Sequence, residues 1–113
     1  MLSRILLYVR DIEMVRDFYV NLFGFRAHQE TGDRIVELIP KGAGAHIMLH
    51  PAAKGQKQGQ AQAKLVFQCD DVAAFCAAHA DIFGKIHQAD GYQFANGKDP
   101  AGNSIQVTTR PLL

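Results

Sequence analysis

An internal repeat constrains the fold of this chain more than any other feature of its sequence. The sequence aligns with itself, without gaps, at an offset of 60 residues. The matched residues are typical of turns and element ends: Asp11 with Asp71, Phe23-Gly24 with Phe83-Gly84, Pro40 with Pro100, Gly42 with Gly102, and Pro51 with Pro111. Because such residues fix where helices and strands end, the repeat predicts two copies of one supersecondary unit within a single domain, 1–113.

Each copy predicts a strand, a helix and three further strands. The openers "RILLYV" and "KLVFQC" favour strands, and each precedes an Asp that can cap a helix. Gly24 and Gly84 are predicted to end the two helices in the left-handed conformation. The remaining strands are predicted near 25–30, 34–39 and 45–50 in the first copy and near 85–90, 92–96 and 104–109 in the second.

The predicted organisation is therefore α+β, with two tandem βαβββ modules at 1–51 and 63–113. Between them, residues 52–62 read "AAKGQKQGQAQ", without an apolar period. This composition predicts a solvated linker, and a mobile lid is the alternative.

Charge and cysteine content narrow the environment of the protein. Lys and Arg total 12 against 11 acidic residues, so no nucleic-acid or membrane partner is indicated. Apolar runs are only strand-sized and the N-terminal residues do not resemble a signal peptide, which predicts a cytoplasmic protein. Cys69 and Cys76 fall on apolar faces and are predicted to be reduced, buried thiols.

Period-two alternation divides the residues of the first and last strand of each module between two faces. One face is almost purely apolar: Ile5, Leu7, Val9, Ile47, Leu49, Leu65, Phe67, Cys69, Ile105 and Val107. The other is mixed: Arg4, Leu6, Tyr8, His46, Met48, His50, Lys64, Val66, Gln68, Ser104, Gln106 and Thr108. The first face predicts a surface covered by the helices. The second predicts a ligand-binding concavity, a face covered by a partner subunit, or both.

The segments "VRDIEMVRDFYVNLFGF", "LVFQCDDVAAF" and "KDPAGNSIQV" together resemble the vicinal oxygen chelate superfamily, which includes glyoxalase I, extradiol dioxygenases and bleomycin-resistance proteins. The resemblance covers nearly the whole chain. It implies paired βαβββ modules forming a cupped mixed sheet with the helices on the outer face. It also implies a homodimer, since relatives of this plan commonly build pockets where modules meet.

Metal-dependent members of that superfamily take ligands from the first and last strands of each module. The matching positions here hold Arg4, His46, Lys64 and Gln106. Arg4 has only donors, and Lys64 would have to lose its proton to offer a lone pair. A cation about 5 Å from a dication costs roughly 7 kcal/mol at an effective dielectric of about 20. The sequence therefore predicts no metal cofactor, and a divalent ion on a shifted set containing His46 and His50 is the alternative.

The two basic residues have two interpretations. If Arg4 and Lys64 converge, they could hold an anionic group between them. Alternatively, they extend to the rim or pair with acidic residues such as Glu37. The candidate ligand-binding residues are Arg4, Tyr8, His46, Met48, His50, Lys64, Gln68, Gln106 and Thr108, and no catalytic residue is assigned.

The leading functional hypothesis is a metal-free, dimeric small-molecule-binding protein. The alternative is an enzyme: a metal-dependent lyase, isomerase or dioxygenase, or a metal-free catalyst with His46 as general base and Arg4 and Lys64 at an oxyanion. A role in protein interaction alone is a third possibility, and the ligand cannot be named because fold leaves chemistry open.

Overall fold

The computed structural model describes residues 1–112 and divides the chain into two compact units, the first spanning Met1–Gln58 and the second beginning at Gly59. The first contains β1 Arg4–Val9, α1 Ile12–Phe23, β2 Arg26–His28, β3 Val36–Ile39 and β4 His46–Pro51. The second contains β5 Lys64–Gln68, α2 Val72–Ala78, β6 Phe83–Ala89, β7 Tyr92–Lys98 and β8 Ser104–Thr108. The predicted βαβββ order is confirmed in both modules, and so is the α+β class.

Each module forms its own four-stranded mixed sheet. The strand order is β1-β4-β3-β2 in the first and β5-β8-β7-β6 in the second. The first and last strands of each module pair in parallel, and the other neighbours pair antiparallel. The last strand therefore lies inside the sheet. One of its neighbours is the opening strand, which bears the basic residue, and the other is the third strand of the module.

Both helices begin where the sequence predicts. Asp11 and Asp71 each accept a hydrogen bond, at 3.0 Å, from the backbone N–H three residues later. Helix α1 ends at Gly24, whose positive φ of 73° lets its N–H donate to Val20 O at 3.1 Å. The first helix is thus bounded by residues suited to both of its ends.

The prediction that Gly84 ends the second helix is wrong. Helix α2 stops at Ala78, and Gly84 lies inside β6. A turn at His79 reverses the chain, because His79 O accepts from the N–H groups of Ile82 and Phe83. Phe83, the first residue of β6, still contacts the helix, since its ring and that of Phe75 lie 5.7 Å apart, edge to face.

Each helix covers the apolar face of its own sheet. Helix α1 packs against β2, β3 and β4, and α2 packs against β6 and β7. Fully buried side chains include Tyr19, Leu38 and Leu49 in the first module and Ile105 and Val107 in the second. The predicted alternation of burial is therefore confirmed along the first and last strands of both modules, with one exception at Thr108.

The cysteines are both free thiols; Cys76, on α2, is buried and Cys69 is half-buried. Burial raises the pKa of both thiols above the ordinary value. The prediction of buried thiols is confirmed for Cys76 and only in part for Cys69, and at neutral pH neither is a reactive thiolate.

The two modules differ in strand register. Arg4 lies opposite His46 in the first sheet, whereas Lys64 lies opposite Ser104 in the second, and Gln106 lies opposite Val66. The residue that occupies the place of His46 is thus Ser104, two residues before its partner in the ungapped repeat. Because the shift is even, the two faces of β8 keep their orientation.

The predicted linker contains no helix or strand, and its two halves are attached to different modules. Arg10 donates from Nη2 to Gln56 O at 2.9 Å and from its backbone N–H to Gln58 Oε1 at 3.0 Å. Gly59 has a φ of 68°, and a Cβ built on it would lie 2.6 Å from Ala101 O. Only glycine fits that close approach. The first part of the linker is thus bound to Arg10 of the first module, and Gly59 packs against Ala101 of the second.

Among the residues described, neither helix has the length and apolar character that crossing a membrane requires.

Candidate ligand-binding site

The open face of the first sheet carries a cluster in which two side chains donate to one carboxylate. Glu37 Oε2 accepts from Arg4 Nε at 3.2 Å and from His46 Nδ1 at 2.5 Å. The register explains the meeting, because Arg4 faces His46 across β1 and β4 while Glu37 lies on the next strand opposite Met48. We call these three residues the first-module cluster.

Glu37 is the electrostatic centre of that cluster. The hydrogen bond from His46, followed by the charge and hydrogen bond of Arg4, holds the pKa of Glu37 below its ordinary value, although partial burial acts in the opposite direction. The carboxylate therefore stays ionised at neutral pH and offsets the charge of Arg4. The pairing of Arg4 with an acidic residue, one of the two interpretations of its charge, is the arrangement found.

Apolar surface and open space adjoin the cluster. Leu6 and Tyr8 follow Arg4 on the same face of β1 and are 38% and 46% exposed. The ring of Tyr8 lies 5.3 Å from that of His50, whose Nδ1 donates to Pro51 O at 2.8 Å. A hollow of about 510 Å³ borders Arg4 and His46, with the rest of its lining from Met1–Ser3, Gly44 and Ala45. Half-buried Met48 completes the predicted residues of this module.

The second sheet carries an analogous cluster around an amide. Asn96 Oδ1 accepts from Lys64 Nζ at 2.9 Å and from Gln106 Nε2 at 3.0 Å. Asn96 lies on β7 directly opposite Gln106. We call Lys64, Asn96 and Gln106 the second-module cluster. Beside it, Val66 is 56% exposed, so this face too is part polar and part apolar.

Two of the predicted ligand-binding residues, Gln68 and Thr108, form hydrogen bonds with the segment that follows β8. Gln68 Nε2 donates to Arg110 O at 2.8 Å. Thr108 Oγ1 donates to Gln93 O at 3.2 Å and accepts from Arg110 N at 3.0 Å. Thr108 is only 4% exposed. The prediction that Thr108 lies on an open surface is therefore wrong, because the segment after β8 covers it.

The side chains present do not match the requirements of a divalent metal. Within residues 1–112, no group of three or more His, Cys, Asp and Glu side chains converges on one point. His46 contacts Glu37 and His50 contacts Tyr8, so the two histidines of the alternative metal site belong to different groups. Arg4 also binds the one carboxylate that could join His46, which would place a cation beside any bound dication.

Sequence reasoning missed Asn96, and it named Glu37 only as a possible partner. Both residues lie on the third strand of a module, whose faces the repeat does not assign. The signal that could have found Asn96 is the alternation in "YQFANGK", where Ala95 is buried and Asn96 faces outward.

Known proteins resemble this chain in sequence and in fold. The uncharacterized protein YetH of Bacillus subtilis strain 168 is 26% identical over 110 residues, which covers 90% of this chain and 92% of YetH. The crystal structure of TnmS3, an antibiotic binding protein from Streptomyces sp. CB03234, is similar with a TM-score of 0.75 and 25% identity, over 95% of this chain and 93% of TnmS3.

A third relative shares the fold. Lactoylglutathione lyase from Agrobacterium tumefaciens has a TM-score of 0.70 and 21% identity, over 96% of this chain and 92% of the lyase. The model of one family matches residues 1–107, nearly the whole length. The chain therefore belongs to the Glyoxalase/Bleomycin resistance protein/Dioxygenase superfamily.

Proposed function

We propose that this protein binds a small organic molecule on the open faces of its sheets without a metal cofactor. The observation that carries the proposal is the composition of those faces, where exposed apolar side chains adjoin polar groups already fixed by hydrogen bonds. Such a combination offers apolar contact area together with a few oriented donors, as ligand sites commonly do.

Two further observations support it. The hollow of about 510 Å³ beside Arg4 and His46 is in the range of small-molecule pockets. TnmS3, at 25% identity over nearly the whole chain, is described as an antibiotic binding protein.

The free thiols of Cys69 and Cys76 suit the cytoplasmic location expected from the sequence.

Native mass spectrometry of the purified protein, combined with a thermal-shift screen of small molecules, tests the proposal. We expect an organic ligand to bind and Tyr8→Ala to weaken that binding about tenfold through lost apolar contact. Met14→Ala is the matched control, because Met14 is also an exposed apolar side chain but lies on α1. Stoichiometric metal in elemental analysis, or equal effects of the two variants, would contradict the proposal.

A second candidate function is metal-free proton transfer, which the contact between Glu37 and His46 favours. Because His46 Nδ1 donates to the carboxylate, an imidazole with a single N–H has its lone pair on Nε2, as a general base requires. A bound ligand that exchanges a C–H proton for deuterium in D₂O, but not with His46→Gln, would establish this function. Exchange that persists in the variant would exclude His46 as the base.

We also propose that the protein forms a homodimer. Strands β1 and β5 each have one neighbour within their own sheets, and Leu6 and Val66 on these strands are exposed. Edge strands and exposed apolar side chains are surfaces that association can cover. Sedimentation at tens of micromolar protein should show a dimer, and a monomer would contradict this part of the proposal.

A further inference from the structure

Three polar side chains form a row across the second sheet. Lys64 on β5 lies opposite Ser104 on β8, and Ser104 lies opposite Lys98 on β7. Residues opposite one another in a sheet project from the same face, so all three share the open face. The Cα atoms of the two lysines are about 10 Å apart, two strand spacings, with the Ser104 hydroxyl between them.

The second-module cluster orients the ammonium group of Lys64. The Lys64 side chain extends over β8, and its Nζ donates to Asn96 Oδ1 at 2.9 Å. Asn96 precedes Lys98 by two residues on the same strand and therefore shares its face. An amide oxygen orients the ammonium group but carries no net charge, so the charge of Lys64 is not neutralised.

No carboxylate compensates for this pair within the described part of the chain. Neither lysine forms a salt bridge there. Asp99 follows Lys98, but it is buried, and its oxygens accept from Ala101 N, Asn103 N and Asn103 Nδ2, each at 2.9 Å. Its carboxylate oxygens are thus engaged within the loop that it closes.

The remaining donors of the row are weakly engaged. Lys98 Nζ lies 3.5 Å from Gly102 O, at the outer limit of a hydrogen bond. The Ser104 hydroxyl makes no hydrogen bond to any other residue in 1–112. A hollow of about 250 Å³ opens beside the row, lined by Ala61, Gln62, Ala63, Lys64 and Ser104. The hollow therefore borders two of the three residues, Lys64 and Ser104, and the hydroxyl of Ser104 has no partner among residues 1–112.

We propose that Lys64, Ser104 and Lys98 form a binding site for the phosphate group of a small molecule. Two ammonium charges match a phosphate dianion, lysine is a common phosphate-binding residue, and donors from three strands can reach different oxygens of a tetrahedral oxyanion. This inference rests on the proposed ligand-binding function and names the chemical class recognised by one part of it. It also places anion recognition on the second module, since Glu37 already offsets Arg4 on the first.

Titration with inorganic phosphate, followed by ¹H–¹⁵N NMR at constant ionic strength, tests the site. We expect shifts centred on residues 64, 98 and 104, and affinity for phosphate at least about tenfold above that for acetate. Lys64→Gln and Lys98→Gln should each weaken phosphate binding about tenfold, and Ser104→Ala about threefold. Lys85→Gln, which removes an exposed lysine from β6 with the same change in net charge, should have less than about a twofold effect. Equal affinity for acetate, or equal losses in all lysine variants, would overturn the proposal.

Asn96→Asp provides an isosteric variant that supplies the missing carboxylate. Its Oδ atoms can still accept from Lys64 and Gln106, so the fold should be retained while phosphate affinity falls about tenfold. Unchanged affinity in a folded Asn96→Asp protein would contradict the inference. Measuring an uncharged screening hit on the same variants separates the two proposals. If that hit binds but phosphate does not, only the phosphate site fails; if phosphate binds but no organic molecule does, only the broader function fails.

Discussion

The two modules have the same order of helix and strands, but their basic residues face acceptors of different charge. On the third strand of each sheet an oxygen accepts from the basic residue of the opening strand, and from a second donor on the central strand. In the first module that oxygen belongs to the carboxylate of Glu37. In the second it belongs to the amide of Asn96.

This difference shows how a repeated framework can acquire two kinds of surface. The acceptor keeps its place on the third strand, opposite Met48 in the first module and opposite Gln106 in the second, although the second donor comes from different positions on the last strand. The charge of the acceptor differs, so Arg4 is compensated while Lys64 is not. A negatively charged ligand must compete with Glu37 on the first sheet, whereas nothing equivalent opposes it on the second among the described residues.

The largest expected difference between the modules is in how much the buried side chain of each helix contributes to the free energy of unfolding. Helix α1 has 12 residues and buries Tyr19 completely, whereas α2 has 7 residues and buries the smaller Cys76. We expect Tyr19→Ala to lower the free energy of unfolding by about 3 to 5 kcal/mol and Cys76→Ala by about 1 kcal/mol. Urea denaturation measures both, with the exposed Met14→Ala as control. A loss at Cys76 as large as that at Tyr19 would refute the comparison.

Binding of anionic molecules should separate the two basic residues. For a negatively charged hit from the screen, Lys64→Ala should weaken binding about ten- to a hundredfold, since a charge-assisted hydrogen bond is lost. Arg4→Ala should weaken it less than about threefold, because Glu37 already offsets that charge. Isothermal titration calorimetry measures both affinities. Equal losses would mean that the two residues serve one anion together.

Acidification should weaken the first-module cluster. A lowered pKa means that Glu37 stabilises the fold above its ordinary pKa of 4.5, and that this contribution is lost as the pH falls through the lowered value. Because half of the Arg4 side chain is exposed, Glu37→Gln should cost no more than about 1 kcal/mol near pH 7. The cost should vanish once the pH has fallen below the lowered pKa of Glu37.

Glu30 supplies the control for that experiment. It accepts from His28 Nε2 at 2.9 Å, so it also forms a His–Glu pair, but its side chain is 76% exposed. Glu30→Gln should change the free energy of unfolding little at either pH. If the cost of Glu37→Gln is the same at both ends of the pH range, the carboxylate is not the source of the stabilisation.

Divalent metals should have the smallest effect. Addition of Zn²⁺, Ni²⁺, Mn²⁺ or Fe²⁺ should leave the melting temperature nearly unchanged, because neither cluster offers three suitable ligands within residues 1–112. An ion that binds the folded protein, present at a hundred times its dissociation constant, would instead add about 2.7 kcal/mol to the free energy of unfolding. A dose-dependent rise of several degrees that His46→Ala or Gln106→Ala abolishes would overturn the metal-free proposal.

The sequence predicted the framework better than the clusters. Local chemistry sets the helix starts, so Asp11 and Asp71 could be assigned without a structure. The end of α2 could not, because the turn at His79 depends on how the chain enters β6 and not on the glycine that the repeat highlights. Asn96 and Lys98 were missed because β7 is positioned by antiparallel pairing, which the repeat at offset 60 does not describe.

The two-residue difference in register has a consequence for engineering symmetric proteins from this chain. A designer who copied β4 onto β8 by aligning sequences would place the imidazole of His46 at position 106, beside Val66. A copy guided by backbone pairing would place it at position 104, beside Lys64, about 7 Å from position 106 toward the start of the strand. Only the second graft would reproduce the neighbours of His46, so duplicated halves of this chain have to be superposed in space before any residue is transferred between them.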